Sequence, residues 1–138
     1  RVMTPHWSLA YLGRPWVSGA AGPDAYDCHG LVRAVYRDVF GVVLPVVEVD
    51  ALNPRAVCCA VRDYDYAAWD SLATPEIEFD VVQMSYGSRP HHVRLYIEAD
   101  GGGVLASVEG AGVVFQSLHS LKQHGWNIVS AYRRRGRA

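Results

Sequence analysis

The stretch Tyr26-Asp27-Cys28-His29-Gly30-Leu31-Val32-Arg33-Ala34-Val35-Tyr36-Arg37-Asp38-Val39-Phe40-Gly41 decides how the rest of the chain is read. Leu31, Val32, Val35, Tyr36, Val39 and Phe40 recur at helical spacing, and Gly41 is a C-terminal stop. The pattern predicts one amphipathic helix with Cys28 in its first turn. Unpaired backbone N–H groups at that end favour negative charge, which suits a cysteine whose thiolate is to attack a carbonyl. A free thiol titrates near ~8.5 and is mostly uncharged at neutrality, so a nucleophile also needs an imidazole within reach.

Upstream of this helix, Thr4-Pro5 is a cap and first-turn pair, and Gly13 closes a short helix carrying Trp7, Leu9 and Leu12. A glycine- and proline-rich loop then runs from Arg14 to Asp27. Downstream, Asn53-Pro54 repeats the helix-start signal, and Ala67 to Glu78 reads weakly, with Pro75 as a breaker. The second half changes character. Phe79–Met84, His92–Ile97, Val104–Val108, Val113–Gln116 and Asn127–Arg133 are short, rich in β-branched or aromatic residues and separated by glycine turns, and Ser117–Gln123 reads as a helical turn. Helices first and strands afterwards predict an α+β fold, with the cysteine helix packed on an antiparallel sheet of about five strands in a single domain over 1–138.

Composition narrows the function classes. A chain of 138 residues buries a core without staples, and a net charge of -1 offers no basic face for nucleic acid. Arg133, Arg134, Arg135 and Arg137 crowd the C-terminus, where a solvated tail accounts for them better than a polyanion contact. No run of about 18 apolar residues is present to span a bilayer, and the first residues lack the pattern of a signal peptide. The three cysteines, Cys28, Cys58 and Cys59, do not pair into a disulfide framework. With His91 and His92 they also lack the ligand spacing of a zinc site, so no metal or other cofactor is expected.

Among the histidines, His29 adjoins Cys28 on a helix and points elsewhere, while His6, His119 and His124 lie in or beside helical or turn segments. His91 and His92 open a strand. Val93, Leu95 and Ile97 form its apolar face, which leaves His92, Arg94 and Tyr96 on the face expected to look at the cysteine helix. His92 is the better base, because His91 points oppositely or frays into the loop.

Three separated stretches, Tyr11-Leu12-Gly13-Arg14-Pro15-Trp16 with Gly22 to Val32, Phe79-Asp80-Val81-Val82, and His92-Val93-Arg94-Leu95-Tyr96-Ile97, carry a resemblance to the NlpC-type cell-wall cysteine peptidases. The resemblance covers Tyr11 to Glu109 and implies a papain-like core. It is nearest in flavour to the tail-assembly proteins of long-tailed bacteriophages, through Arg14-Pro15-Trp16, Cys28-His29-Gly30-Leu31-Val32 and Tyr132-Arg133-Arg134. It implies a hydrolase of murein stem peptides, delivered by a phage tail or related injection machine, with phage tail proteins as partners. The place of action is then the virion tail or the host envelope and periplasm. By the same likeness Cys28 is the nucleophile and His92 the general base and then acid. Trp16 and His29 stand on the oxyanion and substrate side, Trp16 where the family often has tyrosine.

Two positions depart from the family. Its third catalytic residue, usually histidine, falls at Ala106, whose methyl group cannot orient an imidazole. Natural loss, a substitute such as Ser107, Gln83 or a backbone carbonyl, or a deliberate histidine-to-alanine change would each explain it, and the retained flanks favour the last. Arg94 stands where the family prefers a small residue, and is expected to pair with Asp80, Glu98 or a substrate carboxylate. The alternatives to a peptidase are a silent tail-tip module that binds murein, and a papain-like amidase or acyltransferase.

Overall fold

A computed structural model describes residues 6–46, 67–87 and 89–136. The Thr4-Pro5 cap, the helix start at Asn53-Pro54, Cys58, Cys59, Arg137 and the side chain of His91 lie outside the described residues. The first described element is a short 3-10 helix, Trp7–Ala10, and helix α1 spans Cys28–Val35. The cysteine helix continues past Val35 as a wider π turn, Tyr36–Phe40, until Gly41 turns left-handed at φ 67° and its N–H caps the carbonyls of Arg37 and Tyr36. The strands are β1 (Trp69–Leu72), β2 (Val81–Tyr86), β3 (Arg89–Ile97), β4 (Gly103–Val108), β5 (Gly112–Ser117) and β6 (Trp126–Arg134), and a second helix, α2, spans Leu118–Gln123 before β6.

The strands form one six-stranded sheet in the order β1-β6-β2-β3-β4-β5, antiparallel throughout. The α+β order read from sequence stands, with one strand more than expected. β1 escaped notice because Trp69-Asp70-Ser71-Leu72 has no alternation to betray it; it exists because it pairs with the far side of β6, Trp69 opposite Arg134 and Leu72 opposite Ala131. β2 starts at Val81 rather than Phe79. Phe79 is held at φ 72°, and the Asp80 carboxylate accepts the N–H groups of Glu76 and Ile77, so a turn occupies that position.

One side of the sheet carries α1. Leu31, Val32 and Val35 share a core with Val81, Val93, Leu95, Ile97, Leu105 and Val113, each burial stabilising by roughly 1.5–3 kcal/mol. The other side carries α2, where Leu121 packs with Val82, Met84 and Val104, bordered by Tyr96, Trp126 and Ile128. Among the described residues, Arg133, Arg134 and Arg135 are not a solvated tail. Arg133 binds the fully buried Asp80 through two hydrogen bonds of 2.9 Å and reaches Glu76, Arg135 binds Asp70 and the carbonyl of Ala67, and Arg134 lies over the ring of Trp69. They fasten β6 and β1 to the turn before β2.

Candidate active site

Asp27 caps α1: its Oδ1 accepts the Gly30 N–H at 2.6 Å and its Oδ2 accepts the Gly19 N–H at 2.7 Å. The same loop closes on the helix from the other direction, since the Asp27 N–H donates to the Ala20 carbonyl at 2.9 Å. A Cβ on Gly30 would fall 1.8 Å from that carbonyl oxygen, so only glycine fits two residues after the cysteine. The upstream loop is sewn to the sheet as well. Gly13 N–H donates to Val113 O and Val113 N–H to Arg14 O, Tyr26 N–H donates to Pro15 O, and Ser107 Oγ donates to Tyr26 O at 2.6 Å. These bonds set the N-terminus of α1 against β3 and β4, which is what the Gly13-Arg14-Pro15-Trp16 run accomplishes structurally.

Cys28 is the first residue of α1 and is partly covered. The N–H of Val93, which belongs to the peptide joining His92 to Val93, lies on the side of the thiol that favours its anion. β3 is free to pass there because its register with β4 runs over Leu95–Ile97 and stops short of Val93. Burial, and next the negative charge of Asp27, push the Cys28 thiol up to about 11, against the N–H groups of Val93 and His29 and the charge of Arg94, which favour the anion. The helix terminus alone therefore does not ionise the thiol, contrary to the simplest reading of its position. His29 is half-buried beside it, and desolvation of its ring holds the imidazole down at about 4, so it is neutral at physiological pH.

The strand faces differ from expectation. The body of α1 packs on Val93, Leu95 and Ile97, so His92, Arg94 and Tyr96 face the other side, where the His92 ring meets Trp126 edge-on at 5.2 Å. Apolar strand residues seek the apolar helix, and it is the end of the helix, at Cys28, that reaches the His92–Val93 peptide. Arg94 does not pair with Asp80, whose carboxylate is taken by Arg133, nor is it hydrogen-bonded to Glu98. It is 3% exposed, donates to Gln116 Oε1 and places its guanidinium 4.6 Å from the centre of the Trp126 ring. Ala106 is buried in β4 opposite Val114. Of its suggested substitutes, Ser107 spends its hydroxyl proton on Tyr26, and Gln83 accepts from Ser130.

A family model described as the NlpC/P60 family matches residues 13–132. The chain belongs to the NlpC/P60 family. It is 28% identical over 116 residues to the "Probable endopeptidase p60" of Listeria grayi, covering 84% of this chain and 19% of that protein. To the proteins of the same name from Listeria seeligeri and Listeria monocytogenes it is 26% and 25% identical over 117 residues, covering 84% of this chain in each case and 18% and 20% of theirs. The chain thus spans about a fifth of the length of these relatives. NlpC/P60 membership agrees with the observed helix-on-sheet architecture and with the papain-like core the resemblance implied.

Trp16 lies within this family match, half-buried, bridged to Tyr26 and so brought beside the start of α1. Sequence reasoning missed Trp126, Gln116 and the capping role of Asp27. For Asp27 a signal was present, a carboxylate three residues before Gly30 at a helix start. For Trp126 and Gln116 there was none, because they meet Arg94 from strands far along the chain.

Proposed function

We propose that this chain is a cysteine endopeptidase of murein stem peptides. The observation that carries the reading is the placement of Cys28 at the capped start of α1 near the Val93 N–H, so that the strand carrying His92, the candidate base, runs past the thiol. At rest the thiol is protonated. On substrate binding, His92 takes the proton as Cys28 attacks the amide carbon, and returns it to the departing amine. Water then hydrolyses the thioester with His92 again as base. The N–H of Cys28, in the first turn of α1, is directed to the oxyanion, and Trp16 flanks the same end as a donor or a stacking wall. This chemistry needs no cofactor. Murein as substrate is supported by the family, and cleavage by the printed names of the relatives, "Probable endopeptidase p60".

Delivery by a phage tail or injection machine, with tail proteins as partners and the envelope as the place of action, is supported by the sequence resemblance at Arg14 to Trp16, Cys28 to Val32 and Tyr132 to Arg134 alone. Among the described residues no helix is long and apolar enough to cross a membrane. The reading is tested with His92→Gln and Cys28→Ala against purified murein. Loss of stem-peptide cleavage by a hundredfold or more in both, with retained fold, supports it; undiminished cleavage in either removes that residue from the chemistry. The second reading, a silent murein-binding module, is favoured by Ala106 and predicts binding without cleavage in the unaltered chain.

A further inference from the structure

On the side of the sheet away from α1, a cavity of about 420 Å³ opens between β5, α2 and the start of β6, a volume in the range of small-ligand sites. Phe115 and the Trp126 ring give it apolar walls, Gln116 and Ser117 give it polar ones, and the exposed Ser120 and His124 border it. Among the described residues no carboxylate lines it. Arg94 lies behind two of these walls. Its guanidinium donates to Gln116 Oε1 and sits 4.6 Å from the centre of the Trp126 ring, while its Nε is buried without a hydrogen-bond partner. Among the described residues no carboxylate pairs with it. Burying an uncompensated guanidinium is costly, and an anion bound in the same low-dielectric surroundings offsets that cost. The bond to Gln116 also sets the polarity of the wall. A guanidinium can only donate, so the amide must turn its oxygen to Arg94, which leaves its N–H donors on the other side, where among the described residues no acceptor takes them up. A wall of N–H donors with a fixed cation behind it suits a carboxylate and repels an ammonium.

We propose that this cavity is a carboxylate-binding site, and that its ligand is a free carboxylate of the peptide substrate. The Gln116 amide donates to the carboxylate, Arg94 supplies the balancing charge from behind, and Phe115 and Trp126 cover the carbon skeleton beside it. Trp126 joins the cavity to the chemistry. Its ring meets the His92 ring edge-on at 5.2 Å, so a ligand seated against Trp126 lies within one side chain of the candidate base. A stem peptide offers free carboxylates besides the amide to be cut, and one of them reaching this cavity would fix which peptides are accepted. Assigning the carboxylate to the substrate rests on the peptidase reading; the binding itself does not. A free carboxylate from another source would use the same groups, and the two are separated by experiment.

Binding is followed on the whole chain through the indole N–H signal of Trp126 in NMR, assigned with Trp126→Phe, during titration with N-acetyl-D-alanine and with its uncharged amide. The acid is expected to bind about tenfold more tightly than the amide or better. Gln116→Glu, which gives Arg94 a fixed carboxylate and sets a like charge against the ligand, is expected to weaken the acid about tenfold and leave the amide unchanged. Arg94→Met is expected to abolish the preference for the acid. Equal binding of acid and amide, no shift of the signal at tens of millimolar, or an acid affinity unchanged in Gln116→Glu overturns the proposal, and these comparisons decide it where Arg94→Met does not fold. The substrate assignment is tested with purified muropeptides whose carboxylates are free or amidated. Amidation is expected to raise KM several-fold for the unaltered chain and to have no effect on Gln116→Glu. KM values indifferent to amidation, with acid binding intact, give the site to a carboxylate from another source and overturn that assignment. Acid-selective binding with no cleavage by the unaltered chain would sink the peptidase reading and leave the carboxylate site standing.

Discussion

At Cys28 desolvation and the Asp27 charge oppose the N–H groups and the arginine that favour the anion, and desolvation wins. The thiol of the free protein, at about 11 against an ordinary 9.0, is expected to alkylate about a hundredfold more slowly at pH 7 than an exposed cysteine, and to accelerate steeply up to about pH 11. A rate already at its plateau at pH 8, in the same peptide-mapping assay, would show that the thiolate forms without substrate. His29 carries a second consequence. Its folded imidazole titrates at about 4 against an ordinary 6.5, so between those values the unfolded chain binds the extra proton. The stability this neutral ring contributes is present above pH 6.5 and is lost as pH falls through 4. Urea midpoints measured from pH 7 to 4 should fall less steeply for His29→Gln than for the unaltered chain, and parallel curves would contradict the burial.

Among the elements, the join between the upstream loop and α1 has the least tolerance. Gly30→Ala places a methyl against the Ala20 carbonyl, and is expected to cost at least about 2 kcal/mol and to reduce cleavage further than the stability loss explains, because Cys28 moves with the turn. Thermal denaturation and murein turnover, measured together, check this; wild-type values for both would show that the loop yields freely. The fastening of β6 is the other test at this scale. Burial alone would raise Asp80, but Arg133 and the N–H groups of Ile77 and Glu76 outweigh it and hold its carboxyl below the usual range. Arg133→Met leaves that buried carboxylate uncompensated and should destabilise by roughly 3 kcal/mol in urea unfolding, whereas a loss under half that would return Arg133 to a surface role. The elements that were legible in the sequence are those with a period. Leu31 to Phe40 and the alternation from Val93 to Ile97 declared themselves, while β1, with a polar centre and an edge position, depends on a partner more than fifty residues away.

For the molecule as a whole, the Cys28 segment and the strand with His92 could be read from their residues because each carries a period: an amphipathic helix run closed by Gly41, and an alternating strand. The side of the sheet from which each group approaches could not, since it follows from which strand face the helix covers. Nor could the setting of Arg94, which depends on Gln116 from β5 and on Trp126 from β6, two positions that no sequence period connects. The central claim is that Cys28, at the end of α1 and beside the His92–Val93 peptide, cuts the stem peptides of murein. Purified murein incubated with the unaltered chain and with Cys28→Ala, and analysed by mass for released muropeptides, tests it most directly. The account predicts stem peptides shortened at an amide bond, with a new free amine, from the unaltered chain and none from the alanine form. Equal release from both forms, or no stem cleavage by the unaltered chain, would contradict it.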